Sequence, residues 1–94
     1  LPIITNDINS VYDEFVYYFT KIDDNILLKI SQIEYTPNEV DKARFLLYMN
    51  DGNSVYITLT RIEKLNRYSS IVSQMDGKLG IIYLDSGDYI ELKD

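Results

Sequence analysis

The sequence predicts an α+β fold: one twisted or bent β-sheet of about five or more strands, with two main helices packed on one face and a C-terminal β-hairpin. Two patterns carry this prediction. Apolar residues recur every three or four positions in two segments, which is typical of amphipathic helices, and short β-rich runs lie between turn residues elsewhere. The length of 94 residues and the apolar content of 46% suit one core, so residues 1–94 are predicted to form a single domain.

The first helical pattern covers residues 7–22. Its apolar stripe consists of Ile8, Val11, Tyr12, Phe15, Phe19 and Ile22. Thr5, Asn6 and Asp7 precede the stripe, and any of the three can accept a hydrogen bond from a free amide of the first helical turn. Residues 25–30 then predict one or two further helical turns.

A half-buried strand is predicted around Ile33 and Tyr35, which alternate with polar residues. Pro37 ends this strand because proline has no amide hydrogen to donate to a neighbouring strand. Residues 37–41 are therefore predicted to form a loop, in which the Thr36-Pro37 bond can be cis or trans.

Two hairpins are predicted, each from two β-rich runs around a turn. Asp51-Gly52 supplies the positive φ angles of a tight turn in the first hairpin, and Asp85-Ser86-Gly87 reads as the turn of the second. The four runs are residues 44–49, 54–60, 80–84 and 88–92. The direction of the strand that follows the second helix stays open, because a helical connection allows either a parallel or an antiparallel placement.

The second main helix is predicted between the two hairpins, over residues 61–75. Thr60 and Glu63 have the spacing of a capping box, and Gly77 can take the left-handed conformation that ends a helix. The apolar positions at helical spacing are Ile62, Leu65, Tyr68, Val72 and Met75.

Composition excludes several classes of function. A net charge of −6 disfavours binding to nucleic acid or to anionic lipid, and the longest apolar runs are too short to cross a membrane. The chain has no His and no Cys, so no cofactor and no metal site are predicted. Two carboxylate pairs, Asp85 with Asp88 and Asp23 with Asp24, keep a small carboxylate-dependent hydrolase as an alternative.

The C-terminal hairpin is the candidate for protein binding. Its last strand can leave a sheet edge with unpaired backbone groups, to which a partner strand can add. Charged residues near that edge, Asp88, Glu91, Lys93 and Asp94, equally suit an edge protected against association. Nine tyrosines are present; Tyr83 and Tyr89 lie in the hairpin and are interface candidates, whereas core-facing or half-buried positions are predicted for Tyr12, Tyr35, Tyr48, Tyr56 and Tyr68.

Several segments resemble one family of bacterial division proteins. They are Leu1-Pro2-Ile3-Ile4-Thr5, the hairpin segment 47–55, and Lys64-Leu65-Asn66-Arg67-Tyr68 with Ser70-Ile71-Val72. Together they are similar to the extracytoplasmic β-domain of the DivIB/FtsQ family, in its Gram-positive DivIB branch. Two departures stand out: Ser69 replaces a frequent proline, and residues 80–84 lack an aspartate that family members often carry.

The resemblance implies a non-catalytic scaffold of the divisome that supports septum formation. Its partners would be division proteins of the DivIC/FtsB and FtsL types, bound outside the membrane at the septum. The full-length protein would have one transmembrane helix and a POTRA domain, so that this chain is expected to be an excised piece containing the β-domain alone. A purely structural domain that packs on its POTRA neighbour remains an alternative.

The resemblance also implies the site. In the FtsQ branch a partner adds to the last strand, next to a Tyr-Asp-Ser-Gly stretch. Asp85, Ser86 and Gly87 match that stretch, and Leu84 stands at its aromatic position. The aromatic contact is therefore expected to shift to Tyr83 or Tyr89. On this view Gly87→Pro, or a charge at Leu84, would weaken partner binding while leaving the domain folded.

Overall fold

The structure, a computed structural model, describes residues 2–93. The six strands are β1 (Ile3–Ile4), β2 (Ile30–Tyr35), β3 (Arg44–Met49), β4 (Ser54–Thr58), β5 (Gly80–Leu84) and β6 (Tyr89–Leu92). The α-helices are α1 (Tyr12–Phe19), α2 (Asp24–Leu27) and α3 (Tyr68–Ser73), and 3-10 helices cover Asn9–Val11 and Leu59–Arg67. None of the helices within residues 2–93 has the length and apolar character needed to cross a membrane.

The six strands form one sheet whose spatial order, β1 to β6, is the order of the chain. β1 runs parallel to β2 and β4 runs parallel to β5, whereas the other neighbours are antiparallel. Each parallel pair is joined by a helical connection, because a tight turn cannot bring the chain back in the same direction. The structure thus settles the direction of β5 as parallel.

One face of the sheet carries the core. Leu47 pairs with Ile33 and Val55, and Val55 pairs in turn with Ile82, so these side chains lie in one row on the same face. The rings of Phe15 and Phe45 lie 5.4 Å apart and bring α1 onto this face. The same cluster includes residues from the helical segment after β4, namely Leu59, Ile62, Leu65 and Tyr68. The prediction that both main helices pack on one face is confirmed.

The second helical segment begins differently from the prediction. The chain turns directly from β4 into the 3-10 helix Leu59–Arg67, which is kinked at Arg61, and becomes α-helical only at Tyr68. The predicted capping box does not form: the residue before the helix is Thr58, and its hydroxyl donates to Asp41 instead. The physical reason is the spacing of the buried residues Leu59, Ile62, Leu65 and Tyr68, which recur every three positions, the repeat of a 3-10 helix.

The N-terminal segment adds a strand that the sequence did not predict. Ile3 and Ile4 pair with β2, and the Asn6 side chain then donates to the Tyr35 carbonyl and accepts from the Tyr35 amide, at 2.8 Å each. Asp7 alone among the three cap candidates accepts a first-turn amide, that of Asn9 at 2.8 Å. The side chain of Asn6 therefore extends the pairing of β1 with β2, by binding the backbone of Tyr35 as a strand residue would.

The segment between β2 and β3 is a loop, as predicted. Asn38 accepts hydrogen bonds from the amides of Val40 and Asp41, and Arg44 donates from Nη1 to the Thr36 carbonyl at 3.1 Å. The Thr36-Pro37 bond is trans, since residues 2–93 contain no cis peptide bond.

Two of the nine tyrosines lie where the sequence did not place them. Tyr12 and Tyr48 are exposed, and the prediction of core-facing or half-buried positions is wrong for both. Tyr12 lies on the solvent side of α1, and Tyr48 projects from the sheet face that carries no helices, where its hydroxyl donates to Glu34 at 3.3 Å. Tyr35, Tyr56 and Tyr68 are half-buried or buried, as predicted.

Candidate functional site

The C-terminal hairpin ends the sheet with an unpaired strand edge. β6 pairs with β5 on one side, and no strand of residues 2–93 lies on its other side. The amide of Lys93 points inward and donates to the Leu79 carbonyl at 2.8 Å. Because backbone groups alternate in direction along an antiparallel strand, the amides and carbonyls of Ile90 and Leu92 point outward. They form the free edge at β6; β1 is the edge strand on the opposite side of the sheet.

A shallow groove runs beside this edge, between β6 and α3. A depression of about 150 Å³ has a largely apolar floor and is lined by Ile71, Gln74, Ile82, Leu84, Asp88, Tyr89 and Ile90. A second depression of about 120 Å³ shares Ile71, Leu84 and Asp88 with it and adds Lys64 and Arg67. The groove lies on the core-facing side of β6, so side chains of an added strand that point to this side would enter it.

Leu84 lies in the core. It is 3% exposed, and its strand partner Ile57 is also buried. The prediction that a charge at Leu84 would leave the domain folded is therefore wrong, because that charge would lose its hydration inside the apolar cluster. Leu84 forms the floor of the groove.

Asp85 is held inside the molecule. Its Oδ2 accepts a hydrogen bond from Arg44 Nε at 3.0 Å, and the side chains of Arg44 and Asp85 are only 19% and 11% exposed. Asp85 Oδ1 is buried and has no hydrogen-bond donor among residues 2–93. Because Arg44 also binds the carbonyl of Thr36, Asp85 fixes the end of β5 against the loop after β2.

The other turn residues are open to solvent to differing extents. Ser86 is exposed and Gly87 is half-buried, with a φ angle outside the positive range. Asp88 accepts two hydrogen bonds from Lys64 Nζ, at 2.6 and 2.8 Å, and lies 3.5 Å from Arg61. The hydrogen bond from Lys64, aided by the nearby cations, holds the pKa of Asp88 below its usual value.

Tyr83 and Tyr89 belong to an aromatic stack on the sheet face that carries no helices, here called the open face. The rings of Tyr83 and Tyr89 are 4.5 Å apart and nearly parallel, and Tyr56 stacks on the other side of Tyr83 at 5.4 Å. The guanidinium of Arg44 lies 4.0 Å from the centre of the Tyr56 ring. The sequence predicted Tyr83 and Tyr89 as interface candidates, gave Tyr56 only a core-facing or half-buried position, and did not single out Arg44. Tyr56 and Arg44 alternate with the buried Val55, Ile57 and Phe45, and this alternation places them on the open face.

Asp85 and Asp88 line different depressions. Asp85 borders a depression with Asp41 and Thr58, whereas Asp88 borders the groove beside α3, and each carboxylate is held by a cation. Asp23 and Asp24 are exposed. Within residues 2–93 there is also no group of three or more acidic side chains placed to hold a metal ion. This arrangement gives the hydrolase alternative no support.

The sequence of the chain matches a known protein family over nearly its whole length. Residues 1–92 match the family model described as cell division protein FtsQ/DivIB, C-terminal. This chain belongs to the FtsQ/DivIB family of cell division proteins.

Curated relatives in the FtsQ/DivIB family agree with this assignment. The cell division protein DivIB of Leuconostoc kimchii is 39% identical over 84 residues, covering 88% of this chain and 32% of the relative. The DivIB proteins of Listeria monocytogenes and Bacillus subtilis are 35% and 34% identical, covering 84% and 96% of this chain but 30% and 35% of their own lengths. The chain therefore spans about a third of the length of these relatives.

A solved structure of the same family shares the fold. It is the trans isomer of the major extracytoplasmic domain of DivIB from Geobacillus stearothermophilus, which superposes with a TM-score of 0.64 at 25% sequence identity. The similarity covers 80% of this chain and 65% of that structure. The α+β fold of this chain is thus shared with part of an extracytoplasmic DivIB domain.

Proposed function

We propose that this chain is a non-catalytic scaffold domain of the divisome, which binds partner division proteins by strand addition at β6. The observation that carries the proposal is the outward-pointing backbone of Ile90 and Leu92 at an edge without a neighbouring strand among residues 2–93. Such an edge binds an extended segment through main-chain hydrogen bonds, and pockets for alternate side chains supply selectivity.

Both sides of β6 offer such selectivity. On the core-facing side, the groove presents apolar surface from Ile71, Leu84 and Ile90. On the open face, the ring of Tyr89 is 55% exposed. An added strand therefore meets apolar or aromatic surface with either set of its alternating side chains, which distinguishes this edge from one covered only by charges.

The site residues take different parts in this proposal. Tyr89, Ser86 and Gly87 are accessible enough to contact the partner directly. Tyr83 supports Tyr89 from behind in the stack, Leu84 forms the groove floor, and Asp85 holds the turn through Arg44. Ile90 and Leu92, which were not predicted as site residues, supply the main-chain groups.

The proposed setting follows from the family. The partners are division proteins of the DivIC/FtsB and FtsL types, bound outside the membrane at the division septum, where the full-length protein would be anchored by one transmembrane helix and would carry a POTRA domain. The family assignment and the solved extracytoplasmic relative support this setting.

An amide-resolved NMR titration tests the proposal. The 94-residue chain is titrated with the extracytoplasmic regions of the DivIC-type and FtsL-type proteins of the same organism, singly and combined. Strand addition predicts shifts concentrated at residues 80–92. Shifts confined to residues near β1 would instead indicate a surface for a POTRA neighbour, and the absence of shifts with every combination would contradict binding by this domain.

Two variants at one position separate main-chain binding from side-chain binding. Leu92→Pro removes an outward amide that β5 does not use, and proline is tolerated at sheet edges. Leu92→Ala removes the side chain but keeps the amide. Strand addition predicts a folded Leu92→Pro domain that binds at least about ten-fold more weakly than Leu92→Ala, since about 1.4 kcal/mol corresponds to ten-fold. Equal affinities of the two variants would refute pairing at this position.

A further inference from the structure

The aromatic stack crosses the sheet at right angles to its strands. It starts at Arg44 on β3, passes through Tyr56 on β4 and Tyr83 on β5, and ends at Tyr89 on the edge strand β6. Register explains the alignment, because Tyr56 pairs with Tyr83 and Tyr83 pairs with Tyr89. Each step from one tyrosine to the next is one strand spacing, whereas Arg44, whose register partner on β4 is Thr58, reaches the Tyr56 ring diagonally.

The two ends of this stack differ. At β3, the guanidinium of Arg44 covers the ring of Tyr56 at 4.0 Å. At β6, one face of the Tyr89 ring lies on Tyr83 and the other is directed to the free edge, where the side chain is 55% exposed. Among residues 2–93 no second aromatic ring and no Lys or Arg side chain stacks on the Tyr89 ring from that outer side.

An added strand would extend the stack by one step. Neighbouring strands lie about 4.8 Å apart, and directly paired side chains project from the same face with their Cβ atoms about 5 Å apart. The ring spacings of 4.5 and 5.4 Å within the stack match this distance. The partner residue opposite Tyr89 therefore lies where a planar side chain stacks on the free ring face.

Charge selects the kind of planar side chain. Glu91 lies two residues beyond Tyr89, on the same face and the same edge strand, and makes no ion pair among residues 2–93. The chain as a whole has a net charge of −6. Arginine satisfies both features, because its guanidinium stacks on an aromatic ring and also donates to a carboxylate. Arg44 makes the same combination at the other end of the stack, with Tyr56 and Asp85.

We infer that the strand bound at β6 carries an arginine opposite Tyr89, stacked on its outer ring face and within reach of Glu91. This inference rests on the proposed strand addition and specifies it further: the open face of β6 recognises a guanidinium. The selected partner segment thus has an arginine on one side and apolar residues, directed into the groove, on the other.

The test is a double-mutant cycle between the chain and its partner. The partner is the extracytoplasmic region of the DivIC-type protein, and the FtsL-type region is added if the NMR titration shows that binding requires both. In the chain, Tyr89→Phe keeps the ring and Tyr89→Val removes it while keeping strand propensity. In the partner, each residue of the bound segment is replaced by alanine in turn. Binding constants are measured by calorimetry for each combination.

Tyr89→Phe is expected to bind within about two-fold of the unchanged chain. Tyr89→Val is expected to bind about ten-fold more weakly, corresponding to about 1.4 kcal/mol, within the range of a desolvated cation–π contact. Replacement of the partner arginine by alanine should weaken binding to the unchanged chain but have little further effect on binding to Tyr89→Val. Glu91→Gln should weaken binding of the partner that carries the arginine and leave the affinity for the arginine-to-alanine partner unchanged. Tyr12→Leu, which removes an exposed tyrosine on α1, serves as the matched control and should leave affinity unchanged.

The outcomes separate this inference from the function on which it rests. Shifts at residues 80–92 with equal affinities for Tyr89→Phe and Tyr89→Val would overturn the arginine contact and leave strand addition standing. Coupling of Tyr89 to a partner residue other than arginine would overturn it as well. A second test does not depend on whether Tyr89→Val folds. The partner arginine is replaced by glutamine, and binding of this partner variant to the chain without substitutions is measured. An unchanged affinity would contradict the inference.

Discussion

Asn53 connects three parts of the core through one side chain. Its side chain is only 2% exposed. The Oδ1 atom accepts a hydrogen bond from the amide of Gly80 at 2.8 Å. The Nδ2 atom donates hydrogen bonds to the Tyr68 hydroxyl at 3.1 Å and to Asp51 at 3.2 Å. Tyr68 in turn donates to Asp51 at 2.6 Å, and burial together with this hydrogen bond raises the pKa of Tyr68. The first hairpin, α3 and β5 therefore meet at one amide group.

The exchange Asn53→Asp is expected to destabilise the domain by about 2–4 kcal/mol. A carboxylate cannot donate to Tyr68 or Asp51, and it places a second negative charge beside Asp51 in a buried position. Urea denaturation measures the free energy of unfolding. Asn38→Asp is the matched control, because Asn38 uses only its oxygen in an exposed loop, and a change within about 0.5 kcal/mol is expected there.

Lys64 and Asp88 give the hairpin turn a pH dependence. The pKa of Asp88 is lowered in the folded state by the hydrogen bond from Lys64, so its contribution to stability is present above the ordinary pKa of aspartate and is lost as the pH falls through the lowered value. In Lys64→Gln, an NMR titration of the Asp88 carboxyl should show a midpoint shifted upward. An unchanged midpoint would show that Lys64 does not set this pKa.

At the scale of elements, the closing hairpin depends on a close approach of two backbones. A Cβ atom added at Gly80 would lie 2.5 Å from the carbonyl oxygen of Glu91, which is backbone and cannot turn away. The same glycine donates its amide to Asn53. β5 thus requires glycine at its first position in order to hold β6 at this distance.

Gly80→Ala is expected to lower the free energy of unfolding by about 1–3 kcal/mol and to loosen β6 in particular, because the two strands must move apart. Amide hydrogen exchange should show the largest acceleration at residues 89–93. Gly87→Ala is the control, since its added Cβ would meet the Tyr89 ring at an ordinary 3.9 Å. Similar losses in both variants would contradict the role assigned to the close approach.

Element positions were predictable where one local pattern dominates. The apolar stripe of α1 and the two hairpins follow from spacing and turn residues within a few positions. The capping box, which is a local signal, predicted the start of an α-helix where a 3-10 helix lies. The observed start is set by the burial of Leu59, the residue directly after β4. β1 was not predicted because its two residues are too few to show the alternating apolar pattern of a strand. Their pairing depends on β2, which lies far along the chain.

The candidate site shows the same division between local and distant causes. Tyr83 and Tyr89 are correctly placed in the hairpin, since neighbours in a tight hairpin are fixed by the turn. The role of Asp85 depends on Arg44, 41 positions away in sequence, and no local pattern reports such a contact. Leu84 was predicted to tolerate a charge because it aligns with the aromatic residue of the family's Tyr-Asp-Ser-Gly stretch. That alignment does not indicate which face of β5 the side chain occupies.

For the whole molecule, stability is expected to fall from the middle of the sheet to its edges. The central strands β3 and β4 carry Phe45, Leu47, Val55 and Ile57, all with no exposed surface, whereas β1 and β6 each have one strand neighbour. Native-state hydrogen exchange should give the highest protection to amides of β3 and β4 and the lowest to those of β1 and β6, because edges open locally without global unfolding. Protection of β6 equal to that of β4 in the unbound chain would contradict this gradient.

The order of the strands also bears on how the domain is made. Because spatial order equals chain order from β1 to β6, every strand that leaves the ribosome after β1 finds its neighbour already synthesised. No strand has to be inserted between two that have already paired, so the sheet can assemble vectorially, one strand at a time. A partner strand at β6 would then be the seventh in the same series, supplied by another polypeptide.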